Sequence, residues 1–408
     1  MDHIVAPRRA APASLSRIEW SRCAACGTEG GADVVSLHDV PSNSCLMLST
    51  AAAARAWPRG HIALRLCECC GFIANRAADP RLTEYSERYE PTQAWSPAFR
   101  RYHHSLAERI AAAVPLAGRR VVEVGCGQGE FLHLLCGMTG AEGLGFDPCL
   151  DPRRGDVVTE RAGRIELVGE FFDDAAAEAV RADLLVCKMT LEHIPAVGRF
   201  AALCARVARN SATGMRLFIQ VPDSLRILRD LAFEDVYYEH CCYFTEGSLR
   251  GLFARHGFWP EAVFRDYDGQ YLGLLACFDG TPGPAEPAEQ VAEVARLAAH
   301  FAEGQPGRIA AWRQRIADAG RVVVWGSGSK GVAFLAAMGE VAAAVTHAVD
   351  VNPHRQGMFM VGSGHPIVGP DALPAIRPDT VVVMNRVYRE EVGAMLGSLG
   401  LAPRLLAL

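Results

Sequence analysis

Val121-Val122-Glu123-Val124-Gly125-Cys126-Gly127-Gln128-Gly129-Glu130-Phe131 decides how the middle of this chain folds. A β-branched run ends in a glycine-rich turn, which opens a helix expected to begin near Glu130. The glycines let a ligand lie against the backbone, as in nucleotide-binding βα units. The pattern is E-x-G-x-G-x-G, and Asp147 ends the next expected strand, Gly143–Asp147. An acid there suits the two hydroxyls of a ribose, each of which can donate to a carboxylate oxygen.

Outward from this run, short apolar segments alternate with helix-length amphipathic ones, which signals parallel α/β sheets. Arg120–Val124, Asp183–Cys187 and Arg216–Val221 read as further buried strands of the middle. Arg321–Trp325, Ala344–Val349 and Thr380–Met384 repeat the rhythm near the end. Composition breaks the chain twice, at the Tyr- and Pro-containing Tyr85–Pro97 and at Asp279–Pro287, whose Gly and Pro predict a linker before a helix over Glu289–Ala317. Domains are therefore expected over 1–95, 96–285 and 286–408, the last two being doubly wound units in tandem.

The front holds two C-x-x-C pairs, Cys23/Cys26 and Cys67/Cys70, separated by residues 27–66. Four thiolates from two turns can close the tetrahedron of a structural zinc site. Gly27 and Gly71 follow the pairs, and Cys69 is left over. A chain of 408 residues with 14 cysteines and no export signal uses such pairs for metal rather than for disulfides.

The remaining bulk properties exclude more than they assert. A net charge of −5 lacks the basic footprint of nucleic-acid or anionic-membrane binding. No apolar run approaches a membrane span, and Met1–Ser16 lacks the apolar block of a signal peptide, so a cytoplasmic location is expected.

The glycine run resembles the first motif of class I methyltransferases. That resemblance implies S-adenosylmethionine along Glu123, Gly125, Cys126, Gly127, Gly129 and Phe131, with Asp147 and Pro148 at its ribose and Lys188 and Met189 beyond. Lys188–Pro195, with its Leu191-Glu192-His193-Ile194, is similar to the segment after the fourth strand in that class. Asp235–Phe244 resembles the Y-x-E-H-x-x-Y-F motif of sugar C-methyltransferases. These act on nucleotide-linked 4-keto-6-deoxyhexoses and combine a zinc-binding front, a class I core and a C-terminal Rossmann-like domain. Pro41–Leu48, Cys67–Asn75, Tyr85, Tyr89, Gln93, Ser96 and Gly269–Tyr271 extend the likeness over nearly the whole chain.

Carried over, Tyr237, Glu239 and His240 form the catalytic segment, with His193 facing it. A carbon acceptor must lose a proton beside a carbonyl, so His240 is expected as base, and Tyr237, His193 and Tyr89 as partners of the enolate oxygen or nearby hydroxyls. Val322–Gly331 carries a second glycine turn, G-x-G-x-x-G, with Asp350 closing the following strand. Alone this reads as a dinucleotide site. The resemblance instead makes Gly326, Gly328, Lys330, Gly331 and Asp350 a hold for the nucleotide sugar. Cys126-Gly127-Gln128-Gly129 departs from the Asn-Asp-Gly turn of many sugar C-methyltransferases. O- or N-methylation of a sugar or another natural-product intermediate therefore stays open, beside a non-catalytic zinc-bearing nucleotide-binding module and an NAD-dependent oxidoreductase.

Overall fold

In the computed structural model, residues 21–151, 164–283 and 288–408 are described. The segment read as lacking a signal peptide, and part of the expected linker, lie outside them. The front contributes strands β1 (Ala32–Pro41), β2 (Arg59–Leu66) and β3 (Ile73–Asn75). The middle contributes β4 (Arg120–Val124), β5 (Glu142–Phe146), β6 (Ile165–Val168), β7 (Leu184–Lys188), β8 (Arg216–Pro222), β9 (Cys242–Tyr243), β10 (Phe258–Asp266) and β11 (Tyr271–Phe278). The end contributes β12 (Val322–Trp325), β13 (Val345–Val349), β14 (Ile367–Val368), β15 (Thr380–Val383) and β16 (Arg404–Ala407).

The middle forms a seven-stranded sheet in the order β10-β11-β8-β7-β4-β5-β6. Strands β8 to β6 run parallel in that order, and β11 and β10 add antiparallel strands at the edge. The central strands are apolar on both faces because helices cover both. Val121, Leu184, Val186 and Phe218 pack towards the helices Pro97–Ala113 and Glu130–Thr139. Val122, Val124, Leu185, Cys187 and Ile219 pack towards Val197–Asn210. The period of two along each strand does the sorting.

The end builds a parallel five-stranded sheet, β14-β13-β12-β15-β16. Before it runs the helix Ala288–Ala317, with Pro306 inside it. The chain is thus α/β, a Rossmann-like core of the kind that the resemblance to class I methyltransferases implies, followed by a second Rossmann-like unit.

The front is not self-contained. Its antiparallel sheet has the order β1-β2-β3-β9, and β9 belongs to the Tyr237–Phe244 segment from the middle of the chain. Ile73 pairs with Tyr243 and Ala74 with Cys242. A division at residue 95 does not anticipate this strand. Gly60 on β2 leaves room for the ring of Tyr238, which a Cβ would strike. The Tyr238 hydroxyl in turn accepts from the Asp79 amide at 2.7 Å. Both contacts fasten the Tyr237–Phe244 segment to the front of the chain.

Candidate active site

The two C-x-x-C turns meet. Cys23 and Cys70 sulfurs are 3.7 Å apart, as are those of Cys26 and Cys67, and all four lie within 4.8 Å of one another. A disulfide would need about 2.0 Å. A zinc ion with bonds of about 2.3 Å spaces its sulfurs by roughly 3.8 Å, so the cluster fits a tetrahedral metal. Cys69 is exposed and outside the cluster. The Ala24 carbonyl accepts from Gly198 at 3.1 Å and the Ala25 carbonyl from Arg255 at 3.1 Å, which docks the knuckle on the helices of the middle unit.

A cavity of about 450 Å³ opens where the three sheets meet. Strand β4 delivers Glu123, Gly125, Cys126 and Gly127 to its wall, and β5 delivers Asp147 and Pro148. Gly125 and Gly127 have φ of 75° and 58°. A Cβ on Gly125 would collide with Thr190, whereas one on Gly127 would point into empty space. Gly129 has φ of 84°, caps the helix Glu130–Thr139 and does not reach the wall. It shapes the turn.

Asp147 accepts from the Gly127 amide at 2.8 Å and the Cys149 amide at 2.7 Å, one per oxygen, leaving lone pairs for hydroxyls. Burial raises its pKa while those amides oppose the rise. Glu123 is 1% exposed with one oxygen unpartnered, and burial pushes it to about 7. Lys188, over the Phe131 ring at 5.5 Å, opposes that shift. Met189 follows with φ of 52°, a sparsely allowed conformation for a side-chain-bearing residue, at the cavity wall. Open glycine backbone, an oriented acid and a buried carboxylate with one oxygen to spare fit S-adenosylmethionine.

Across the cavity, His240 is 4% exposed, with Nε2 2.7 Å from the Tyr237 hydroxyl. Its ring meets that of His193 edge-on at 4.8 Å. His193 Nδ1 lies 3.0 Å from the Tyr85 hydroxyl, and Tyr85 packs on Tyr89 at 5.3 Å. Burial lowers the pKa of both histidines, His193 to about 4 and His240 well below the ordinary value, so both rings rest neutral.

Glu239 does not reach His240. Its carboxylate accepts from Asn43 at 3.1 Å and from Ser44, with the Tyr89 hydroxyl also bearing on it, and burial raises it to about 7. The carboxylate near His240 is Glu192, whose Oε1 is 3.9 Å from Nε2. Sequence reading passed over Glu192 because it lies 48 positions from His240, and only the fold joins the β7 turn to the β9 segment. Tyr85 stood in a stretch read chiefly as a boundary. That stretch is the cavity's lip.

The C-terminal turn lines the same cavity with Gly326, Gly328, Lys330 and Gly331. Lys330 is bonded to Asp235, which Arg226 also engages, so its ammonium is occupied by an acid two residues before Tyr237. Asp350 accepts from the Ser327 amide at 3.0 Å and the Asn352 amide at 2.9 Å, bracing the turn. Arg355, buried beneath it, donates to the Glu90 carbonyl and to Ser327 at 3.3 Å. No described helix is long and apolar enough to cross a membrane.

Comparison with known proteins agrees with this construction. Residues 96–263 match a family model described as a methyltransferase domain, and residues 290–399 one described as a C-methyltransferase C-terminal domain. The C-methyltransferase NovU of Streptomyces niveus is 27% identical over 396 residues, spanning 91% of this chain and 90% of that one. A ubiquinone biosynthesis O-methyltransferase of Burkholderia orbicola (strain MC0-3) is 30% identical over 112 residues, 24% of this chain and 44% of that enzyme. Among solved structures, Burkholderia thailandensis 1,6-didemethyltoxoflavin-N1-methyltransferase, with bound 1,6-didemethyltoxoflavin and S-adenosylhomocysteine, is 19% identical. Its TM-score is 0.32, covering 46% of this chain and 78% of that chain. The chain therefore holds a methyltransferase domain followed by a C-methyltransferase C-terminal domain, and it is an S-adenosylmethionine-dependent methyltransferase.

Proposed function

We propose that this enzyme methylates a carbon beside the ketone of a nucleotide-linked keto-deoxysugar, with His240 as base. One observation carries the reading. A neutral, buried His240 shares one cavity with the cofactor-type turn at Gly125–Gly127 and Asp147, and two tyrosine–histidine pairs flank the space between.

S-adenosylmethionine, when bound, supplies an electrophilic methyl group. Asp147 takes ribose hydroxyls, and Glu123, Cys126, Phe131, Pro148, Lys188 and Met189 wall the cofactor in. His240 takes the proton from the acceptor carbon. Tyr237, His193 and Tyr89 line the cavity as hydrogen-bonding groups for the developing enolate oxygen and neighbouring hydroxyls. Burial excludes water from the base and strengthens these bonds. At the other end, the backbone of Gly326–Gly331 receives the nucleotide's phosphates at the start of the helix Ser329–Met338, with Lys330 and Asp350 holding the turn in shape. The four cysteines Cys23, Cys26, Cys67 and Cys70 hold a structural zinc ion.

The test is incubation with methyl-labelled S-adenosylmethionine and a nucleotide-linked 4-keto-6-deoxyhexose. The expected product carries the methyl on the ring carbon next to the ketone and has lost a ring hydrogen there. Methyl on oxygen or nitrogen, with that hydrogen retained, overturns the reading. His240→Asn is expected to abolish turnover while S-adenosylhomocysteine still binds.

A further inference from the structure

Most of the buried acids near the cavity have polar partners on at least one oxygen or a cation in contact. Asp147 has its two amides, Glu239 has Asn43 and Ser44, and Asp235 has Lys330 and Arg226. Glu234 lies 3.7 Å from Arg308. Glu192 is 1% exposed, lines the cavity, and has no hydrogen-bond partner in another residue on either oxygen. A bare carboxylate in such a place is costly, and native proteins rarely keep one without a use.

The groups around it come from five parts of the chain. Lys188 ends β7, and His193 follows Glu192 in the same short turn. Tyr85 arrives from the front, and His240 and Tyr237 from the segment before β9. Tyr271 begins β11. Cys241 donates to the Glu192 carbonyl at 3.5 Å, fixing the turn against that segment. Lys188 is the cation whose field favours ionisation, but burial outweighs it and raises Glu192 to about 8.

His240 has the opposite difficulty. Burial, His193 and Lys330 all disfavour its protonated form. An imidazolium formed there would have no contacting anion unless Glu192 supplied one. We propose that Glu192 is the destination of the proton that His240 removes from the acceptor. The acceptor's C–H bond breaks and its electron pair stays on carbon. One ring nitrogen of His240 takes the proton, and Nε2 passes a proton to Oε1 of the Glu192 carboxylate. The imidazole ends neutral and the carboxyl ends as the acid. Nε2 and Oε1 are 3.9 Å apart, a side-chain rotation from the roughly 2.6–3.2 Å at which a proton passes. The pair, rather than either residue, then sets the apparent pKa of the base.

This inference rests on the carbon-methylation reading, so the experiment separates the two. The full chain, with S-adenosylhomocysteine bound, is incubated in deuterated water with a nucleotide-linked 4-keto-6-deoxyhexose. Exchange of the ring hydrogen beside the ketone is followed against pH. Wild-type exchange is expected to rise with pH to a plateau above about 8. Glu192→Gln is expected to slow it about 100-fold or more and to abolish the limb, with Glu192→Asp restoring part of both. Unchanged rate and limb in a Glu192→Gln protein that still binds S-adenosylhomocysteine would overturn the proposal. No exchange in the wild type refutes the keto-sugar reading instead. Infrared titration of the same protein then decides the remainder. A carboxylic-acid band titrating near pH 8 and lost in Glu192→Gln supports Glu192 as the proton's resting place, and its absence overturns that role.

Discussion

The side-chain amides of Gln270 and Asn385 are hydrogen bonded to each other twice, at 2.9 and 3.1 Å, and both residues are buried. One belongs to the turn before β11 of the methyltransferase sheet, the other to the loop after β15 of the C-terminal sheet. Each satisfies the other's donor and acceptor, so neither can be replaced alone without orphaning its partner. Gln270→Ala is expected to destabilise the protein by about 2 kcal/mol, and the double variant with Asn385→Ala by less than the sum. Denaturant unfolding of the full cycle measures the coupling, and strict additivity would refute it.

The glycines of the cofactor turn should differ in a defined way. Gly125 has positive φ and no room for a Cβ, because Thr190 occupies the space. Gly127 has positive φ and open cavity instead. Gly125→Ala is therefore expected to cost several kcal/mol of stability and Gly127→Ala about 1 kcal/mol. Both should weaken S-adenosylhomocysteine binding by calorimetry, and Gly127→Ala would do so with the fold nearly unharmed.

The ammonium of Lys330 is committed to Asp235. Lys330→Met is expected to lower stability by about 2 kcal/mol by leaving that acid with Arg226 alone. Adding Asp235→Asn should recover part of the loss. Equilibrium unfolding of both variants reads this directly, and a Lys330→Met protein as stable as wild type would show the pair to be idle.

Three buried glutamates give the cofactor-free protein a pH dependence. Glu123 and Glu239 are raised to about 7 and Glu192 to about 8, from an ordinary 4.5, in each case chiefly by burial. The folded state therefore binds more protons than the unfolded one across that window. Their contribution is full below about pH 4.5 and is lost as pH rises through 7 to 8. The melting temperature should fall between pH 6 and 8.5, and Glu192→Gln should remove the part of the fall nearest pH 8.

Removal of metal should be felt beyond the front. Elemental analysis is expected to find one zinc per chain, and Cys26→Ser to lose it. A chelator should lower the melting temperature and, with it, S-adenosylhomocysteine-dependent protection of the His240 segment in hydrogen exchange.

How much of this was legible beforehand follows sequence distance. The β4–turn–helix run, Asp147 and the two C-x-x-C pairs announce themselves because each motif is local and its residue types have few other uses. Every strand read from the middle and end lies within a residue or so of its place. Glu192 and Asp235 were in plain view but carried no sign of their partners, since His240 and Lys330 are brought to them only by the packing of three sheets. Glu239 misled for the converse reason. Adjacency to His240 along an irregular segment sends the two side chains in different directions, one into the cavity and one into the pocket of Asn43 and Ser44.

The pairing of β9 with β3 means that the front of this protein is not a removable cartridge. A graft that exchanges residues 21–95 for those of a relative would sever a ladder whose other half lies more than a hundred residues downstream. Chimeras aimed at new acceptors should therefore carry the Tyr237–Phe244 segment with the front unit, treating two distant stretches of gene as one part.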